Sequence, residues 1–365
     1  MRIRIAYCLL HLLVATLLAG TVLTACGPPP PCDPGDTTVS VSGGSPCGGT
    51  YWARGLSMAV GVSAHNTTYA AIVKLQIYID GTLKQECTSI GTGPDYSCSY
   101  TWSTNPEFLP EGDHTILGRA IDKCGGQHDV TRTIRVDNTA PTVDFTGPDG
   151  RRPSGNEYPL CPSEGTVNVT ASGSDNNLIE HIDLWWKGPG ATEYTLIHQC
   201  WTSGCSYEWD ISELAGTTHD WRAQAFDCAG NGSWYATTQT RVSGAPGIIG
   251  INPSGGAAVS GPTTITVTTS DADDAWLNPG VPLADWTQTH IATVQITVNK
   301  DGMQSVVNAS RVNALMWQGT CLFPEKCAGE YSLTAKSTDQ CGQQSNVVST
   351  TVNVYCTTPP FCPVN

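Results

Sequence analysis

Positive charge is scarce in this sequence. Its 365 residues hold 18 lysines and arginines against 32 acids, and the basic residues form no run. That argues against nucleic acid as a partner and against electrostatic docking on anionic lipid, both of which need clustered cations. Charge of either sign is thin, at 14% of residues where about a quarter is usual. There are only five phenylalanines and four methionines. No segment has the 3.6-residue apolar period of an amphipathic helix, and no stretch beyond residues 5–23 is apolar enough to span a bilayer. HExxH, GxSxG, a phosphate loop and a dinucleotide fingerprint are all missing, so no constellation for catalysis is present. No CxxC pair has histidines spaced to complete a zinc site. What remains abundant is Thr, Ser, Gly and Val, the composition of an exported all-β protein long enough for two or three cores.

The N-terminus supplies the address. Arg2 and Arg4 precede the apolar stretch 5–23, which reads as the n- and h-regions of a secretory signal. Leu23, Thr24, Ala25 and Cys26 follow at once. This LTAC resembles the lipobox of bacterial lipoproteins, and Gly27 follows the cysteine. The resemblance implies cleavage before Cys26, lipidation of its thiol and anchoring in the cell envelope, at the outer membrane of a two-membrane cell. An ordinary signal peptide, with Cys26 in a disulfide, is the alternative. Loss of residues 1–25, which hold two arginines and no acid, takes the net charge from −14 to −16.

A repeat runs through the rest. The segments GDHTILGRAIDKCGG (112–126), THDWRAQAFDCAGNG (218–232) and GEYSLTAKSTDQCGQ (329–343) align on Asp122, Asp227 and Asp339. Stepping back by twos gives Ala120, Ala225 and Ser337; then Gly118, Ala223 and Ala335; then Ile116, Trp221 and Leu333; then His114, His219 and Tyr331. That is one inward strand face repeated three times. CSYTW (98–102) and CSYEW (205–209) are near copies upstream. Alternating strands around Leu75, Ile182 and Val294 lie earlier still, two of them running into turns at Asp80-Gly81 and Asp301-Gly302. Linkers fall at 138–141 and 244–246.

These motifs resemble bacterial Ig-like domains, which occur in arrays on secreted and surface proteins. The resemblance implies an all-β chain of three tandem Ig-like β-sandwiches. The expected division is a signal peptide at 1–25, a lipidated Pro-rich tether at 26–36, domains at 37–138, 139–243 and 244–355, and a tail at 356–365. The family implies spacing, adhesion or carbohydrate contact rather than catalysis, with envelope or extracellular proteins or polysaccharide as partners. Most such domains lack cysteines; this chain has sixteen.

With Cys8 in the signal and Cys26 lipidated, fourteen cysteines remain, an even number for an oxidising compartment. Short loops suggest Cys87–Cys98, Cys200–Cys205 and Cys321–Cys327. In an Ig-like sandwich, Cys47 and Cys161 lie in turns at the end opposite Cys124, Cys228 and Cys341. Head-to-tail stacking then predicts Cys47–Cys228 and Cys161–Cys341, with Cys32–Cys124 at the start and Cys356–Cys362 in the tail, giving a stapled rod. The competing set is Cys47–Cys124 and Cys161–Cys228 within domains, leaving Cys341 for Cys356 or Cys362.

Two ligand sites are conceivable. Asp271, Asp273 and Asp274 cluster in one loop and offer hard oxygens to Ca2+, although aspartates at strand ends commonly cap turns. Of the eleven tryptophans, Trp102, Trp209, Trp221 and Trp317 fall on core columns. Trp185 faces away from the Ile182, Leu184, Trp186 side, and Trp276 and Trp286 sit in a long loop of the third repeat; these three are candidate sugar platforms.

Overall fold

The structure is a computed structural model that describes residues 35–67, 72–88, 93–147, 159–278, 280–283, 286, 288–323 and 328–355. Cys26, Cys32, Cys327, Cys356, Cys362 and the prolines at 28–31 lie outside these residues. The chain divides into two compact units. Unit one comprises residues up to 43, 58–102 and 113–134; unit two comprises 44–57, 103–112 and 135 onward. Almost every described element is a strand, and among the described residues no helix is long and apolar enough to cross a membrane.

In unit one, Thr37–Ser42, Ser57–Asn66 and Asp95–Ser103 form a three-stranded sheet. A second set runs Gln127–Val136, Gly112–Asp122, Ile72–Ile79, Thr82–Cys87. Each strand alternates buried and outward residues, so Val60, Val62, Leu75, Ile77, Ile116 and Ala120 meet in the interior. Gly118 belongs to that face because a Cβ there would lie 2.8 Å from methyls of Val41 and Val62. The Asp80-Gly81 turn has both residues at positive φ, 48° and 75°, as a two-residue type I′ hairpin demands. His114 caps the turn by bonding Asp80 at 2.7 Å. Cys87 and Cys98 are bridged.

Unit two repeats the plan twice. Thr142–Phe145, Thr166–Ser174 and Gly204–Asp210 form one sheet of the second repeat. Thr195–Cys200, Ile179–Lys187, Thr218–Asp227 and Ala236–Arg241 form the other. Val167, Val169, Ile182, Leu184, Trp209, Trp221, Ala223 and Ala225 build the core between them. Trp209 and Trp221 meet edge-on at 5.0 Å. In the third repeat, Pro262–Ser270 and Met316–Leu322 pair in one sheet, while Ile291–Lys300, Gly329–Asp339 and Val348–Val354 lie in the other. Ile265, Val267, Ile296, Trp317, Leu333 and Val352 form its core. The second Asp-Gly turn matches the first, with φ of 50° at Asp301 and 86° at Gly302.

The cysteines of unit two pair across the repeats. Cys47, on the short hairpin Ser45–Cys47/Thr50–Ala53, bonds Cys228, with Cα atoms 5.4 Å apart and 181 residues between them in sequence. Cys161 bonds Cys341, at 5.2 Å and 180 residues. Cys200–Cys205 closes the local loop. Cys124 is also disulfide-bonded. The expected Cys321–Cys327 bridge is a correction: Cys321 is a free thiol. It lies on the inward face of Met316–Leu322 and is wholly buried among the third core. It acts there as a small apolar residue, and burial raises its pKa.

Candidate functional site: two acidic clusters and an aromatic face

The repeated aspartates hold the turns that follow their strands. Asp122 Oδ1 accepts from the backbone N–H of Cys124 and of Gly126, each at 2.8 Å. Asp227 Oδ1 accepts from Asn231 N at 2.8 Å, and Asp339 Oδ1 from Gln343 N at 2.7 Å. In unit two the other oxygens of Asp227 and Asp339 enter acidic clusters that are built differently.

The first cluster joins Asp137, Asp175 and Asp227, each offering an oxygen within 4.8 Å of the others. Asp137 and Asp227 are fully buried. Their contacts are neutral: Asn177 Nδ2 donates to Asp137 at 2.7 Å, and Asn231 Nδ2 to Asp227 at 2.7 Å. Asp175 Oδ1 is buried and accepts no hydrogen bond. Burial raises the Asp137 pKa, opposed by bonds from Thr139 and Asn177 and reinforced by Asp175 and Glu111. Asp227 is raised in the same way, with Asp137 and Asp175 as its negative neighbours. Three carboxylates with no ion pair to a basic side chain among the described residues form a hard-oxygen donor set of the kind Ca2+ takes.

The second cluster has cations built in. By sequence, RVDN at 135–138 corresponds to RVSG at 241–244, so Ser243 stands where the first cluster has Asp137. Asp271 corresponds to Asp175, and Asp273 to Asn177. His290 Nδ1 lies 3.8 Å from Asp271, 3.7 Å from Asp273 and 3.9 Å from Asp339. Arg241 Nε pairs with Asp273 at 2.7 Å. Burial works to lower the His290 pKa, but the bond to Asp271 and the charges of Asp271, Asp273 and Asp339 raise it overall.

The sequence-predicted trio Asp271, Asp273 and Asp274 is therefore not one ligand set. Asp271 is the N-cap of the short helix Ala272–Leu277, accepting from Asp273 N at 2.9 Å. Asp273 and Asp274 are consecutive helical residues, so they point about 100° apart. Asp274 instead accepts from His290 N at 2.6 Å and from Thr289 Oγ1 at 3.1 Å. Burial pushes its pKa up to about 6. Periodicity could not reveal the first cluster, because Asp137, Asp175 and Asp227 come from three separated segments.

The second repeat also carries an aromatic face on its four-stranded sheet. Trp185 pairs across strands with Arg222 on the outward side, as the alternation predicted. Arg222 lies 4.0 Å above the Tyr194 ring and 4.5 Å from that of Tyr235. Tyr235 meets Trp185 edge-on at 5.7 Å. Trp186, on the other side, donates its indole N–H to His219 at 3.1 Å. Trp276 and Trp286 belong to the third repeat and join no described ring contact with Trp185. Trp276 is half-buried in the short helix, and the Trp286 indole is tied to Val281 O at 2.9 Å.

Residues 38–117 match the bacterial Ig domain family. No curated protein matches the sequence. Among solved structures, the chain is similar to fibronectin(III)-like modules of Clostridium thermocellum CbhA, at 20% identity, covering 56% of this chain and 95% of that one, with a TM-score of 0.36. It is also similar to a Ca2+-stabilized adhesin that helps an Antarctic bacterium bind ice, at 16% identity, 87% and 72% coverage and a TM-score of 0.38. A tetra-tandem repeat from the extending region of a large adhesion protein gives 17% identity, 88% and 75% coverage and a TM-score of 0.30.

Proposed function

We propose that this chain is a non-catalytic bacterial surface lipoprotein, tethered through Cys26, whose three Ig-like domains serve structural or adhesive display. The observation that carries the reading is the pair of long-range disulfides, Cys47–Cys228 and Cys161–Cys341. Each ties the opening of one repeat to the closing turn of the next, a use of cysteine that suits a load-bearing module in an oxidising compartment. LTAC supports the tether, and the Ig match over 38–117 supports a surface address. The test is metabolic labelling with a clickable palmitate analogue, combined with protease shaving of whole cells. Labelling of the wild type, its loss in Cys26→Ala and cleavage on intact cells are expected. An unlabelled wild type, or a chain that no protease reaches, refutes the tether or the display role respectively.

A second reading, carbohydrate contact at the envelope, is favoured by the outward ring set of Trp185, Tyr194 and Tyr235 around Arg222. In both readings Asp137, Asp175 and Asp227 form a better set for a hard divalent cation than the loop at 271–274.

A further inference from the structure

We infer that the outer face of the sheet Thr195–Cys200, Ile179–Lys187, Thr218–Asp227 and Ala236–Arg241 is a binding site for a glycan bearing a single carboxylated sugar. This rests on the carbohydrate reading above and gives it a location and a ligand class. Register places three rows of side chains on the face. Gln199, Asp183 and Gln224 form one row. Trp185, Arg222 and Thr237 form the middle row, and Lys187, Asp220 and Gln239 the third.

The middle row supplies one ring, Trp185, which Tyr235 meets edge-on. Tyr235 is half exposed, and Trp234 beside it is 90% exposed. Exposed aromatic surface of this kind stacks on the C–H faces of pyranose rings, burying apolar surface while sugar hydroxyls stay at the edge. The flanking rows supply fixed acceptors. Gln199 Nε2 donates to Asp183 at 2.7 Å, Gln224 Nε2 to Ser233 O at 2.9 Å and Gln239 Nε2 to Asp220 at 2.6 Å. Each amide nitrogen is engaged by a protein acceptor, and each Oε1 can accept from a ligand hydroxyl. Amide donors already engaged by the protein beside amide oxygens that can still accept suit a polyhydroxylated partner better than an apolar peptide.

Arg222 sets the charge of the ligand. Lys187 is paired with Asp220 at 2.7 Å. Arg222 has no hydrogen bond or ion pair among the described residues, and Tyr194 and Tyr235 approach its guanidinium carbon closely. Its Nε is buried without a hydrogen-bond partner, and a carboxylate would pair with the guanidinium's terminal N–H groups. One unpaired cation matches one carboxylate. A dense polyanion is disfavoured, because the chain as a whole carries a net charge of −14.

The test is affinity gel electrophoresis of the full-length protein, purified in detergent, in gels containing glucuronoxylan or the same xylan stripped of its glucuronate. Retardation by glucuronoxylan, with little or none on the stripped polymer, is expected. Arg222→Gln is expected to weaken binding roughly 10- to 100-fold, the loss of one charge-assisted pair, and Trp185→Ala to abolish it. Tyr235→Ala, at a half-exposed ring, is the second variant should Trp185→Ala fold poorly; each variant's melting curve reports its folding. Equal retardation on both polymers overturns the acid recognition. Retardation unchanged in all variants overturns the location. No retardation on either polymer overturns the glycan site altogether, while palmitate labelling and surface exposure remain to decide the display role independently.

Discussion

At the scale of single residues, the two acidic clusters answer one problem in opposite ways. Both collect three carboxylates where one repeat meets the next within unit two. In the second, His290 and Arg241 supply positive charge; in the first, the side-chain donors among the described residues are the amides of Asn177 and Asn231. The pH response follows from the direction of the His290 shift. Its pKa is raised on folding, so the stability it contributes is fully present below its unfolded value of about 6.5 and is lost as pH rises through the folded value. Asp274, raised to about 6, acts in the same direction: it holds its proton more tightly when folded, so rising pH between about 4 and 6 destabilises the native state. His290→Gln is expected to cost about 3 kcal/mol at pH 5.5. The melting gap between wild type and variant is expected to narrow as pH rises through the folded value, and a gap that does not change with pH would refute the assignment. At the first cluster, millimolar Ca2+ is expected to raise the melting temperature by several degrees through mass action. EDTA should reverse the rise and Asp175→Asn should diminish it; calorimetry showing no Ca2+ dependence would dismiss the cation.

At the scale of elements, what is legible in the sequence is what is local. Strand alternation places Ile116, Trp221 and Leu333 on one inward face, and all three are fully buried. Trp221→Ala is expected to cost about 3–5 kcal/mol, measured by denaturant unfolding. The Asp-Gly dipeptides announce their turns because few other residue pairs tolerate two successive positive φ angles. The acidic loop misleads for an equally physical reason. Asp271, Asp273 and Asp274 look like a cluster on paper, but a helical turn sends Asp273 toward Arg241 and Asp274 toward the His290 amide. Cys321 misleads because nearness to Cys327 in sequence says nothing about which way a strand residue points. It faces inward, so its thiol is expected to resist modification by a maleimide until the third repeat unfolds, as mass spectrometry across a urea series would show.

At the scale of the molecule, the long disulfides matter more than any one contact. Removing one with Cys47→Ser or Cys161→Ser is expected to lower stability by about 2–4 kcal/mol in urea unfolding. The two bonds also interlock in sequence order, 47 to 228 and 161 to 341, and this governs how the chain carries tension. Taking these two bonds alone, a pull applied at Cys47 and Cys341 is borne by the shortest covalent path, across to Cys228, back to Cys161 and across again to Cys341. With both bonds intact, the slack between Cys47 and Cys341 is the 67-residue stretch from 161 to 228, at most about 230 Å of extended chain. With both reduced it becomes 294 residues, or about 1,000 Å. Single-molecule stretching with and without a reductant is expected to show that fourfold change. Under load, a chain with both bonds oxidised keeps Cys47 and Cys341 within that shorter span even after its domains have unfolded.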